Sequence, residues 1–119
     1  MSRVKISEYK GKEITCIDFS ACGRKETENT IEEVKKLIQL KKTLYVLANV
    51  TNMDFTPGVI ESLQAFAGQY RANITAMAIL GLSGLEKLTF QLAAKSLGTC
   101  IEVFSISENR KAVDWLVGF

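Results

Sequence analysis

Few side chains in this sequence suit acid–base or nucleophilic chemistry. It contains no histidine, and its three cysteines, Cys16, Cys22 and Cys100, are widely spaced with no C-x-x-C pair. That excludes a Cys–His nucleophile and argues against a structural zinc site. Cysteine of this kind behaves as a small hydrophobe. Asp18 and Asp54 are the two carboxylates placed to form a pair, though their spacing does not show that they converge. No lysine of the phosphate-loop type follows a glycine loop, Gly81-x-x-Gly84 is too short for a nucleotide fingerprint, and no G-x-S-x-G elbow occurs. General acid–base work near neutral pH would need a shifted carboxylate, lysine or cysteine. The expectation is a protein that is not an enzyme, with no catalytic residues, no cofactor and no metal.

Binding chemistry is better represented. Small polar residues gather in short loops where apolar runs end: Asp18 and Ser20, then Thr51, Asn52 and Asp54, then Ser83 and Gly84. Thr56-Pro57-Gly58 opens a helix, with Thr56 able to accept a bond from the first turn and Pro57 suited to the first helical position. The plainest role for these residues is as caps and turns. Two of the loops run straight into helix starts, at Thr56 and at Ser83-Gly84, where free N–H groups favour a phosphate or carboxylate. Asp18, Ser20, Thr51, Asn52, Asp54, Thr56, Gly58, Ser83 and Gly84 are therefore the candidate polar or anion-binding set.

The elements that must position these loops follow from periodicity. Val4 to Ser7 and Ile14 to Phe19 read as an antiparallel hairpin turning at Lys10-Gly11-Lys12, its first strand a charged, exposed edge. A helix starts near Thr27 or Asn29 and runs to Leu40, with Ile31, Val34, Leu37 and Ile38 on its apolar stripe. Leu44 to Val50 and Ala76 to Leu80 are almost wholly apolar, as strands buried on both faces are. Pro57 to about Ala72, Leu85 to Leu97 and Glu108 to Leu116 read as helices, the last capped by Ser107. Cys100 to Phe104 is an edge strand. The predicted order is ββαβαβαβα. The fold class is α/β: one domain over residues 1–119, a five-stranded mixed sheet with an N-terminal antiparallel hairpin, then mostly parallel strands, and four covering helices.

The helix over Leu85 to Leu97 has a surplus of apolar surface. Leu82, Leu85, Leu88, Leu92 and Ala93 share one side, Phe90, Ala94 and Leu97 lie on a neighbouring side, and only Lys87, Gln91 and Lys95 form a polar strip. That is more than one sheet face requires. The excess packs on a neighbouring helix, lines an apolar cavity, or faces a partner or bilayer. Phe66, Tyr70, Phe90, Ala94 and Leu97 form the candidate apolar site, for a small apolar or amphipathic ligand or a membrane surface. A shared apolar helix face also suits a homodimer.

With 119 residues the chain is long enough to bury a core without disulfides. A net charge of +2 argues against a nucleic-acid partner. No apolar run reaches the ~20 residues of a membrane span or the pattern of a signal peptide. The expected location is cytoplasmic, with peripheral membrane contact as an extension of the ligand reading.

Four segments together carry a family resemblance: I-D-F-S (Ile17 to Ser20), N-V-T-N-M-D-F (Asn49 to Phe55), A-I-L-G-L-S-G-L (Ala78 to Leu85) and D-W-L-V (Asp114 to Val117). In this order they resemble the bacterial and archaeal STAS-like proteins, relatives of the anti-sigma-factor antagonists of sporulation. CRAL-TRIO lipid-carrier domains are similar in architecture. The resemblance implies a non-enzymatic role, in regulation through a protein partner or in binding a small apolar or anionic ligand near a membrane. The antagonists are switched by phosphorylation of a serine opening the helix after the third strand, in a D-S-S-G-like motif. Here that stretch reads Asp54-Phe55-Thr56-Pro57-Gly58. Thr56 is the nearest hydroxyl, and the Asp-Ser pair is missing.

Overall fold

A computed structural model describes residues 3–82, 84, 87, 88 and 100–119. Strands β1 (Val4–Tyr9) and β2 (Lys12–Asp18) form an antiparallel hairpin, and Lys10 and Gly11 take φ of 51° and 80° in its two-residue turn. Two successive positive φ values match the twist of the flanking strands. Helix α1 (Arg24–Lys41) leads to β3 (Leu44–Asn49), and α2 (Pro57–Gln69) leads to β4 (Ile74–Leu80). Strand β5 (Ile101–Phe104) is followed by a 3-10 turn, Ile106–Glu108, and helix α3 (Asn109–Val117). The sheet order is β1-β2-β3-β4-β5, with every pair beyond the hairpin parallel.

The mixed sheet, both edge strands and the hairpin agree with the sequence expectation. Three α-helices, not four, occur among the described residues. Of the expected helix over 85–97 only Lys87 and Leu88 are described, both helical, and Phe90, Ala94, Leu97 and Ser83 lie outside the described residues. Two boundaries differ for a clear reason. Helix α1 begins at Arg24 because the Glu26 carboxylate accepts a bond from the Gly23 N–H at 2.9 Å, capping it one turn earlier than Thr27. The cap before the last helix is Ser105, not Ser107: Glu108 Oε1 accepts from the Ser105 N–H at 2.9 Å, a reciprocal box around the 3-10 turn.

The two sheet faces are covered unequally. Helices α1 and α2 share one face, where Ile31, Val34, Ile38, Val59 and Phe66 pack with Ile17, Val46, Ala48 and Ile79. Helix α3 lies on the other, its Ala112 and Leu116 packed with Ile14, Leu47, Ala76, Ala78 and Leu80. Nine residues make a helix about 14 Å long. Five strands ~4.8 Å apart span about 19 Å. One such helix cannot cover that face.

Its path decides which part stays open. The C-terminal end is tied to the hairpin: Lys12 Nζ donates to the carbonyls of Leu116, at 3.4 Å, and Phe119, and lies 4.2 Å from the Tyr45 ring centre. Lys10 pairs with Asp114 at 3.5 Å. The N-terminal end follows β5 directly. The helix therefore crosses from the carboxyl end of β5 to the amino end of β2, and among the described residues no helix covers the carboxyl ends of β2 and β3 on this face.

One local feature works against stability. The hydroxyl of Thr27, fully buried in the first turn of α1, has no hydrogen-bond partner. A buried donor without a partner costs about 1–3 kcal/mol. Thr27→Val keeps the shape and removes the hydroxyl. It should stabilise the protein by roughly 1 kcal/mol, read as a higher midpoint in urea with an unchanged slope. An equal or lower midpoint would show that the hydroxyl is solvated.

Candidate functional site

The strand-end loops are built from one turn used twice. At the end of β2, Asp18 Oδ1 accepts from the Ser20 N–H and hydroxyl, at 2.9 and 2.5 Å. At the same register on β3, Asn49 Oδ1 accepts from the Thr51 N–H and hydroxyl, at 3.0 and 2.7 Å. In each turn the next residue has positive φ, Ala21 at 55° and Asn52 at 57°. The residue after that, Cys22 or Met53, is buried and donates its N–H back to Phe19 or Val50. The two turns are joined by Ala21 N–H to Thr51 C=O, 2.9 Å.

The predicted polar set is thereby placed. Asp18 and Ser20 close one turn, and Thr51 and Asn52 belong to the other. Asp54 is exposed, its N–H held by the Cys22 carbonyl at 3.0 Å. Thr56 caps α2, its hydroxyl accepting from the Val59 N–H at 3.4 Å. Arg24 lies over Gly58, its side-chain atoms 3.5 Å from where a Cβ would stand. Gly84 is exposed with φ of 58°. These residues serve first as turns and caps. The sheet order also runs one way without reversing, so it offers no switch-point crevice of the kind that doubly wound sheets use. On the apolar side, Phe66 is buried in the main core and Tyr70 stacks on it, ring centres 5.2 Å apart. Neither side chain faces the open part of the sheet.

The cleft lies on the other face, in the bare corner that α3 leaves. Its volume is about 480 Å³, within the usual range for small-molecule sites. Register explains its lining. One row across the sheet reads Asp18, Asn49, Leu80; the row below reads Lys5, Cys16, Leu47. Arg3 extends the upper row, since its carbonyl accepts from the Asp18 N–H at 2.8 Å. Ile106 and Asn109, at the start of the last helix, close the remaining side. Cys16, Leu47 and Leu80 make an apolar floor, and Ile106 is half exposed above it, at 51%.

The rim is basic. Arg3 Nη1 donates to the carbonyls of Asp18 and Ser20 at 3.1 and 3.2 Å, which fixes the guanidinium at the rim. The Lys5 ammonium has no ion pair among the described residues. Asp18 is the one carboxylate in the lining. Its acidity is increased, first by the bond from the Ser20 hydroxyl, then by the Ser20 N–H and the charges of Arg3 and Lys5, against the opposing effect of burial. Burial raises the Cys22 thiol, which suits an inert core residue. No group of His, Cys, Asp and Glu suited to a metal ion occurs among the described residues. None of the described helices is long and apolar enough to cross a membrane.

The lowered pKa of Asp18 has a consequence for stability. A carboxylate more acidic folded than unfolded contributes stability above the ordinary carboxylate range, and loses it as pH falls through the folded value. Glu26 and Glu108 shift the same way, each chiefly through a backbone N–H bond, from Gly23 and from Ser105. The melting temperature should hold level from neutral pH to the carboxylate range and then fall. Asp18→Asn should flatten that fall and leave the turn intact, because Asn49 already makes the same turn. A steeper acid limb in the variant would refute the assignment.

The strand ends read from the sequence include Asp18, Asn49 and Ile106 of the cleft; its other residues were not read as a site. Arg3, Lys5 and Cys16 read as an edge and a strand, and Leu47 and Leu80 as core. The available signal was arithmetic: among the described residues, one short helix is left for the second face.

The α/β fold is of the SpoIIAA-like type, in line with the STAS-like resemblance of the sequence. A crystal structure that it matches is an uncharacterized protein of the DUF3478 family with a SpoIIAA-like fold, from Shewanella loihica PV-4. The TM-score is 0.77 at 15% sequence identity, over 95% of this chain and 91% of that one. No protein-family model matches the sequence, and no curated protein matches it.

Proposed function

We propose that the protein is a non-enzymatic binding module that takes an amphipathic small molecule in the corner cleft of its second sheet face. The observation that carries this reading is the apolar floor of Cys16, Leu47 and Leu80 beside a rim of fixed polar groups. Apolar lining with a few placed polar groups is the usual make-up of a ligand site. The chemistry of the lining supports binding over catalysis: one carboxylate, already bonded through Oδ1 to Ser20, and one thiol.

The test is titration with N-phenyl-1-naphthylamine, a neutral apolar fluorophore. Its emission should rise on binding to the intact chain. Cys16→Trp, which fills the floor, should weaken binding at least fivefold, while Tyr70→Ala on the opposite face leaves it unchanged. Equal binding to Cys16→Trp and the parent, with both folded by circular dichroism, would defeat the reading. Flotation with phosphatidylcholine vesicles separates free-ligand binding from membrane docking.

A second reading, a regulatory domain that engages a protein partner, is favoured by the placement of Arg24 over the start of α2. A phosphate on exposed Thr56 would stand at a helix N-terminus beside that guanidinium, where it is tolerated. Under this reading, Thr56→Glu changes which protein is recovered in a pulldown from the native host. Identical recovery would count against it.

A further inference from the structure

We infer that the cleft selects a single-chain anionic amphiphile, with its negative head between Arg3 and Lys5 and its chain running over Cys16 and Leu47 toward Ile106. This rests on the cleft being the ligand site proposed above. Two cations stand on the β1 side of the opening, one anchored by two carbonyls and the other without an ion pair among the described residues. The one carboxylate in the lining has an oxygen engaged by Ser20. The apolar surface lies on the other side of those cations, between the strands and the start of α3. A head that accepts charge-assisted bonds is thus held at one end and a hydrocarbon chain at the other.

The occupant is a free molecule and not a bilayer. The cleft is a recess in a sheet corner, and a cavity of about 480 Å³ admits one chain. A cationic head would meet the two positive groups. A neutral head would leave the two rim cations balanced by the single carboxylate of Asp18.

The experiment displaces the naphthylamine probe with three ten-carbon molecules: decanoate, decanol and decyltrimethylammonium. Decanoate should bind roughly tenfold tighter than decanol, and the cation weakest. Lys5→Glu, on an exposed edge position, should remove the decanoate advantage and raise affinity for the cation; Lys5→Met should bring decanoate and decanol together. Added salt should weaken decanoate alone. Equal displacement by all three molecules overturns the head-group assignment and leaves the cleft standing as a site. Displacement by none overturns both. Binding to phosphatidylglycerol vesicles with no displacement by monomeric decanoate also overturns the inference.

Discussion

Gly81→Ala should lower stability by roughly 2–5 kcal/mol, from ~1–2 for the left-handed backbone and ~1–3 for forced overlap. Gly81 leaves β4 with φ of +97°. A Cβ there would stand 2.3 Å from Thr51 Oγ1 and 2.9 Å from the Thr51 nitrogen. Thr51 cannot easily yield. Its N–H and hydroxyl are held by Asn49, and its carbonyl by the Ala21 N–H. A domain of ordinary stability has ~5–15 kcal/mol in all, so the variant should melt on the order of ten degrees or more below the parent. Thr51→Ala removes the closest contact, and the double variant should lose less than the sum of the two single changes. A Gly81→Ala protein within ~1 kcal/mol of the parent would mean that the β4 exit is not as drawn.

The second large effect is expected at Leu116. It is fully buried and is one of two α3 side chains in the core of that face. Truncation to alanine should cost about 2–5 kcal/mol, the range for a buried leucine whose cavity does not collapse. The neighbourhood resists collapse, since Lys12 holds the Leu116 and Phe119 carbonyls and Trp115 stacks edge-on against Phe119, ring centres 4.9 Å apart. The loss should appear as a lower urea midpoint, and probe binding should weaken as well, because α3 carries a wall of the cleft. A stability loss with unchanged binding at low temperature would place the ligand elsewhere.

The sheet was legible in the sequence because β3 and β4 are read from both faces at once. L-Y-V-L-A-N and I-T-A-M-A-I-L leave no consistently polar side, as in strands with a helix packed on each face. The two turns were legible as polar clusters, and their role as turns was the plainer of the two readings. What the pattern could not convey is three-dimensional. Cys16 and Leu47 sit on one floor only because β2 and β3 are in register there. Lys5 faces that floor because it pairs with Cys16 across the hairpin. Periodicity assigns each residue a side of its own strand but does not say which side a later helix will leave bare. The sequence drew attention instead to the excess apolar surface of 85–97, where Phe90, Ala94 and Leu97 lie outside the described residues.

The most direct measurement is a 15N-labelled amide correlation spectrum of the whole chain, titrated with decanoate below its micelle concentration. The shifts that move should belong to Lys5, Cys16, Leu47, Leu80, Ile106 and Asn109, with α1 and α2 silent. Movement confined to α2 around Phe66 and Tyr70, with the corner of the second face unmoved, would contradict the account.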